Sequence, residues 1–162
     1  MIIGVIADTH LYQRAAALPP FVEEVFRDAA HILHAGDIVG ADVIARLAKW
    51  APVTAVAGNL DPPEAHKKYG DKKIVTLGGY RFGLCHGEGK GGKAADRALG
   101  RFQGERVDCI VFGHSHIPYC AYSGDILLFN PGSPTDKRRS RHYSVGLIET
   151  GAVLHARHVY FD

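Results

Sequence analysis

The chain has no cysteine pair at C-x-x-C spacing, and its three cysteines (Cys85, Cys109 and Cys120) make an odd count. That excludes a disulfide framework and a zinc ribbon and points to a reducing, cytoplasmic setting. It also has no apolar run near the roughly 20 residues that a membrane span requires, so no membrane partner is expected. The apolar opening Met1–Ala7 lacks a basic flank and meets Asp8 at once, so it does not read as a signal peptide. Neither sign of charge is in excess: 19 Lys and Arg against 17 Asp and Glu leave a net value of +2, which gives no case for nucleic acid as a partner. No linker, repeat or low-complexity stretch divides the 162 residues, and a single domain over residues 1–162 is expected. What the chain does have is histidine, ten of them, and their positions matter more than their number.

Short apolar runs alternate with helix-period segments. Residues 1–7, Ile32-Leu33 and Val53–Ala57 read as buried strands. Between them Val22, Val25, Phe26 and Ala29 recur at i, i+3, i+4 and i+7 and form one helix face. Val43, Ile44, Leu47 and Ala48 form another, closed by Pro52. This β-α-β-α-β order predicts parallel strands joined by right-handed crossovers. After residue 70 the texture becomes mostly β. Ile74–Leu77 and Tyr80–Cys85 flank Gly78-Gly79 as a hairpin. A helix carrying Ala94, Ala95, Ala98, Leu99 and Phe102 follows, weakened by Gly100. Cys109–Phe112, Ala121–Phe129, Tyr143–Ile148 and Val153–Val159 then read as strands. The expected fold class is α/β, with two packed sheets.

Five polar clusters each follow a predicted strand: Asp8-Thr9-His10, Gly36-Asp37, Gly58-Asn59, His86-Gly87 and Gly113-His114-Ser115-His116. Ligands in open α/β sheets bind beyond the carboxyl ends of strands, so all five can meet in one crevice. On extended backbone i and i+2 share a face, which would bring Asp8 beside His10 and His114 beside His116. The adjacent glycines permit close approach of backbone. Carboxylate, imidazole and amide oxygen suit Mn²⁺, Fe, Zn²⁺ or Ni²⁺. A lone His at a strand end is usually an ordinary hydrogen-bonded residue, and a lone Gly-Asp is usually a turn. Seven such groups converging without a cation would leave polar atoms unsatisfied, so the metal reading prevails.

These motifs, in this order, together with the turn Asn130-Pro131-Gly132-Ser133, resemble the calcineurin-like metallophosphoesterases from residue 1 to about residue 133. The resemblance is nearest to the small phosphodiesterase branch. It implies a four-layer α/β/β/α sandwich of two mixed sheets flanked by helices, and two divalent metal ions, Mn²⁺ or Ni²⁺ first, with Fe or Zn²⁺ as alternatives. It further implies that one ion takes Asp8, His10 and His116, that the other takes Asn59, His86 and His114, and that Asp37 bridges both. Two such ions lower the pKa of a shared hydroxide, which attacks phosphorus with no covalent enzyme intermediate.

The chain departs from the wider family at Leu60, where many relatives carry a histidine thought to protonate the leaving group. Asp61 beside it is open to two readings, orienting a ligand or capping the Pro62-Pro63 loop. Gly87–Lys93 fits G-x-x-x-x-G-K, but Ala94 replaces the hydroxyl that would hold Mg²⁺, so it is read as a solvated loop. Cys85 lacks the arginine of a C-x₅-R phosphate loop and reads as a small buried strand residue. Lys137, Arg138, Arg139 and Arg141 read as a solvated basic run, with a substrate-phosphate clamp as the alternative. His31, His66, His142, His155 and His158 have no motif context. The expected function is hydrolysis of a small phosphate diester. A phosphomonoesterase on the same centre and a non-catalytic scaffold like the retromer subunit of this superfamily are the alternatives. A homo-oligomer is left open.

Overall fold

The structure is a computed structural model that describes residues 1–162. Its first half runs β1 (Ile2–Ile6), α1 (Pro20–Phe26), β2 (His31–His34), α2 (Val43–Leu47), β3 (Val53–Ala55) and α3 (Pro63–Tyr69). The strands β1, β2 and β3 pair in parallel, as the alternation of strands and helices requires. The second half runs β4 (Lys72–Leu77), β5 (Tyr80–Cys85), α4 (Ala94–Arg101), β6 (Cys109–Val111), β7 (Tyr119–Ser123), β8 (Ile126–Asn130), β9 (Tyr143–Thr150) and β10 (Leu154–Phe161). Two five-stranded mixed sheets result, ordered β10-β9-β1-β2-β3 and β4-β5-β6-β8-β7. The chain therefore returns at its end to close the sheet in which it began, β9 lying antiparallel to β1.

Side-chain alternation along the strands builds three apolar layers. Ile3, Val5 and Leu33 of the first sheet meet Phe82, Leu84, Val111 and Phe129 of the second, forming the core between the sheets. The opposite face of the first sheet, with Ile6, Ile32 and Val145, is covered by Val22 and Phe26 of α1 and by Val43 and Leu47 of α2. The opposite face of the second sheet, with Cys85, Ile110 and Leu128, is covered by Ala94, Ala95 and Ala98 of α4 and by Phe102. The expected four-layer α/β/β/α order follows from these three interfaces. None of the helices is long and apolar enough to cross a membrane.

Glycine shapes the fold at two kinds of place. At the β4–β5 hairpin, Gly78 and Gly79 take φ of 56° and 86°, the paired positive values that a two-residue turn demands. In mid-strand, a Cβ on Gly4 would stand 2.9 Å from Phe26 Cδ1, and one on Gly83 would stand 2.7 Å from Phe102 Cε1. Each helix layer thus seats a phenylalanine ring directly on a bare stretch of strand.

Two expectations are corrected. The run Ala121–Phe129 is not one strand: a turn at Gly124-Asp125, with Gly124 at φ 58°, divides β7 from β8, which pair as a hairpin. Residues 63–69, read only as following a loop, form α3. Its apolar periodicity is absent because the helix buries no side chain, and the signal it did carry was proline at its first turn. A test of the packing is Gly4→Ala, which must displace the fully buried ring of Phe26. Equilibrium denaturation should show a loss of about 1–3 kcal/mol, the usual cost of overpacking; unchanged stability would mean the ring is loosely held.

Candidate metal centre

The five polar clusters all sit just beyond carboxyl ends of strands, after β1, β2, β3, β5 and β6. Both sheets deliver them to the same end of the sandwich, so side chains 100 residues apart in sequence become neighbours. Local backbone differs from the expectation. Asp8, His10, Asp37, His114 and His116 are not extended but left-handed, with φ of 53°, 40°, 51°, 70° and 60°. Asp8 and His10, and likewise His114 and His116, do reach one site, through kinked loops rather than strand alternation. Left-handed non-glycine residues cost free energy and persist where surrounding structure fixes them. Glycines supply the clearance: a Cβ on Gly58 would lie 2.3 Å from Asp37 Oδ1, and one on Gly113 would lie 2.8 Å from Asp8 Oδ2.

Asp8, His10, Asp37, His86 and His116 are buried, at 0–2 % exposure. Asp8 Oδ1 lies 3.7 Å from His10 Nε2, 3.4 Å from His116 Nε2 and 3.8 Å from His86 Nε2. Asp37 Oδ2 lies 3.5 Å from His10 Nε2 and 3.2 Å from His86 Nε2. Two donor groups are compact enough for an ion: Asp8, His10 and His116, and Asp8, Asp37 and His86. Asn59 and His114 complete the second side, His114 Nδ1 standing 3.1 Å from Asn59 Oδ1 and its ring 5.2 Å from that of His86. These two lie toward solvent, Asn59 exposed and His114 half-buried.

The polar atoms left over in the molecule are concentrated here. Only His10 Nδ1, His10 Nε2, His86 Nε2 and His116 Nε2 are buried side-chain nitrogens or oxygens without a hydrogen-bond partner. Buried polar atoms are almost always satisfied, so three Nε2 atoms aimed at two carboxylates fit a cation between them. In two of the three the other ring nitrogen is committed: His86 Nδ1 donates to the Ala35 carbonyl at 2.8 Å, and His116 Nδ1 to the Asp136 carbonyl at 2.6 Å. Such bonds fix the tautomer that leaves Nε2 free to ligate. The electrostatics agree. Burial works against a charged His86, yet contact with Asp37 and the charges of Asp8 and Asp37 push its pKa up to about 9. Burial also opposes ionisation of Asp37, but His86, the Leu60 N–H and His10 hold its carboxyl below the usual range. The pocket attracts positive charge; a proton on His86 satisfies it partly, and a divalent ion would satisfy it more fully.

Several supporting residues were missed in the sequence. His34, fully buried in β2, accepts the Gly36 N–H at Nδ1 (3.2 Å) and faces Thr9 Oγ1 from Nε2 (3.1 Å). Burial, only partly countered by Asp61, Asp8 and Asp37, holds its pKa down near 4, so it is a neutral strut between two loops. Asp61 does not cap the Pro62-Pro63 loop at the start of α3. Its carboxylate accepts the N–H groups of Gly58 (2.8 Å), Ile38 (3.1 Å) and Val39 (2.7 Å), tying the Asp37 loop to the Asn59 loop. The Asn130–Ser133 turn does the same elsewhere. Asn130 Nδ2 donates to the Gly113 carbonyl at 2.8 Å, and Ser133 Oγ to the Asp8 carbonyl at 2.8 Å. A polar residue inside the apolar run Ile32–Ala35 was the available sign of His34; nothing local marked Asp61.

The secondary features resolve as follows. Gly87–Lys93 is not a free loop: Arg97 donates to the carbonyls of Gly87, Gly91 and Gly92. Cys85 is buried, and burial raises its thiol to about 12, which removes it as a nucleophile. Leu60 is exposed at the open side, 48 % accessible. Four of the five histidines without motif context find ordinary partners, His31 with Thr54, His66 with Asp71, His142 with Asp162 and His158 with the Asn130 carbonyl.

Comparison with known proteins agrees with this geometry. A family model described as the calcineurin-like phosphoesterase superfamily domain matches residues 1–152. A probable metallophosphoesterase from Methanothermobacter thermautotrophicus is 40% identical over 144 residues, covering 85% of this chain and 80% of that protein. Among solved structures, a novel archaeal phosphodiesterase superposes with a TM-score of 0.78 at 22% identity, covering 99% of this chain and 100% of that one. Vps29 from Entamoeba histolytica, in complex with Zn²⁺, superposes with a TM-score of 0.76 at 23% identity over 100% of both chains.

The loop clamp offers a test independent of chemistry. Asp61→Ala strands three backbone N–H groups, two of them wholly buried, and should cost about 1–3 kcal/mol or more. Chemical denaturation measures it; a change below about 0.5 kcal/mol, the range of an ordinary surface substitution, would mean the clamp is dispensable.

Proposed function

Because this chain belongs to the calcineurin-like phosphoesterase superfamily, we propose that it is a metal-dependent phosphodiesterase acting on small phosphate diesters at a dinuclear centre. The observation that carries this reading is the set of unpartnered imidazole nitrogens turned on two buried carboxylates. In this reading Asp8, His10 and His116 hold one ion, and Asn59, His86 and His114 the other. Asp37 is the shared ligand: its Oδ1 is engaged by the Leu60 N–H at 2.8 Å, which leaves Oδ2 turned toward nitrogens of both sets. Asp8 Oδ1 faces one more imidazole and is common to both compact donor groups, but both oxygens of Asp8 also accept the His114 N–H. Oxygen and imidazole donors suit Mn²⁺ or Ni²⁺ best, with Fe or Zn²⁺ as alternatives. When bound, such a pair of ions supplies Lewis acidity toward the phosphoryl oxygens and activates water near neutral pH.

The protein's own residues bind, orient and exclude. Buried Asp8, His10, Asp37, His86 and His116 form a floor closed to bulk water, while Asn59 and His114 face the side from which substrate must arrive. Nothing at position 60 can donate a proton, because Leu60 presents only hydrocarbon there. That favours esters with stable leaving groups and, with the likeness to an archaeal phosphodiesterase, supports diesters over monoesters. The likeness to Vps29 supports a second reading, a protein-interaction scaffold; the intact set of seven donors favours the enzyme. The free thiols Cys85, Cys109 and Cys120 support a cytoplasmic location.

Elemental analysis after reconstitution with Mn²⁺ or Ni²⁺ should find about two ions per chain, as a shared-carboxylate pair requires. Asp37→Ala should lose metal and activity together. Retained metal and full activity in that variant would remove Asp37 as the bridge, and a chain that binds metal but hydrolyses no phosphoester would favour the scaffold.

Leaving-group chemistry gives a separate test. General acid help is worth about 10²–10⁴-fold in rate, and its lack at Leu60 should make hydrolysis of aryl diesters fall steeply as leaving-group pKa rises. A flat profile with chemistry rate-limiting would show that another residue supplies the proton.

A further inference from the structure

An excess of positive charge lies against the loop that carries His114 and His116. The segment after the Asn130–Ser133 turn bears Lys137, Arg138, Arg139 and Arg141. Arg138 Nη1 donates to the carbonyl of His114 at 3.2 Å, which brings its guanidinium to the rim of the centre. Its backbone is left-handed, φ 46°, and its N–H rests on Asp136 Oδ1 at 3.3 Å, so the side chain is aimed by its loop and not merely solvated. Asp136 is the sole carboxylate within 4.0 Å of these cations, and Arg14 at 3.4 Å and His116 at 3.7 Å share it. Arg139 and Arg141 have no acidic partner. Arg138 and Arg139 line a cavity of about 350 Å³ with Ser115 and Ile117. Ser115 stands between the two histidines of the centre, and Ile117 is 47 % exposed, an apolar wall beside two guanidinium groups.

This cleft adjoins the centre through Ser115, which lies between His114 and His116 in the chain. Paired guanidinium forks match the several oxygens of a phosphate better than a single carboxylate. Resting on the phosphodiesterase reading above, we propose that Arg138 and Arg139 form a subsite for a second phosphate of the substrate. The preferred substrates are then phosphodiesters that carry a further phosphate on the same organic group, whose apolar part packs on Ile117. Arg138 and Arg139 are specificity residues: they touch substrate remote from the bond that is cleaved.

Two synthetic diesters separate this subsite from the centre. Thymidine 5′-(p-nitrophenyl phosphate) and its 3′-phosphorylated counterpart differ only in the remote phosphate. The metal-loaded protein should show kcat/KM on the order of tenfold higher for the second, the scale of a charge-assisted hydrogen bond. Arg139→Ala and Arg138→Ala should each bring that ratio toward one. A purely structural role for Arg138 at the His114 loop would instead lower both rates together and leave the ratio intact, and Arg138→Lys would restore both. Equal rates in the unaltered protein overturn the subsite while leaving the phosphodiesterase reading standing. If neither diester is hydrolysed, that reading fails, and calorimetry decides the subsite alone. Tighter binding of thymidine 3′,5′-bisphosphate than of the 5′-monophosphate, lost in Arg139→Ala, supports it; equal binding overturns it.

Discussion

Two carboxylates buried side by side set the terms for everything around them. Asp8 and Asp37 are shielded from water, where an ionised carboxylate is costly unless a compensating charge lies against it. The chain answers with imidazoles at 3.2–3.8 Å from those oxygens. Imidazole is a weak answer on its own: only His86 is pushed up far enough, to about 9, to stay charged at neutral pH. His114 and His116 move the other way, burial lowering both. Two buried carboxylates facing imidazoles of which burial lowers His114 and His116 leave the site short of positive charge, and that shortage is what a pair of divalent ions would relieve.

Holding such a site requires strain and its containment. Left-handed backbone at five of the seven donor residues means the loops would relax elsewhere if released. The restraints are hydrogen bonds to backbone, not apolar packing. Asp61 gathers three N–H groups, Ser133 and Thr135 take the carbonyls of Asp8 and Thr9, and Asn130 takes that of Gly113. Asp61 ties loops within the first sheet and Asn130 ties loops within the second, while Ser133 and Thr135 bind the end of the second sheet to the loop after β1 in the first. Stability of the sandwich and geometry of the centre are in this sense one property.

This explains what could and could not be seen in the sequence. The donors themselves were legible because each cluster follows an apolar strand and four of the five contain glycine, a pattern that a local reading captures. The three parallel strands and the Gly78-Gly79 hairpin were legible for the same reason: period and turn chemistry are local. What escaped depends on distant partners. Asp61 looks like any acidic residue before a proline pair, and its three N–H partners come from two loops, one of them more than 20 residues away. α3 escaped because it buries no side chain, so it carries no apolar stripe to detect. The expectation that Asp8 and His10 meet by strand alternation reached the right pairing for the wrong reason, since the glycine-relieved kinks that bring them together have no periodicity.

The exposure gradient across the centre carries the argument from chemistry to selectivity. Its floor is closed, and its open side is bordered by groups of contrasting character, Leu60 on the Asn59 loop and Arg138 on the His114 carbonyl. In the proposed function the buried floor would treat every phosphoester alike, because it would meet only the phosphoryl group that all of them share. Discrimination must come from what touches the rest of the molecule. On one flank, under the proposed function, an apolar side chain offers no proton and would select by leaving-group stability. On the other, in the proposed subsite, Arg138 (shared with Asp136) and the unpaired Arg139 would select by charge. A fold that keeps its strained, charge-hungry donors fixed can therefore change substrate by altering residues on its rim, without disturbing the hydrogen bonds that hold the floor in place.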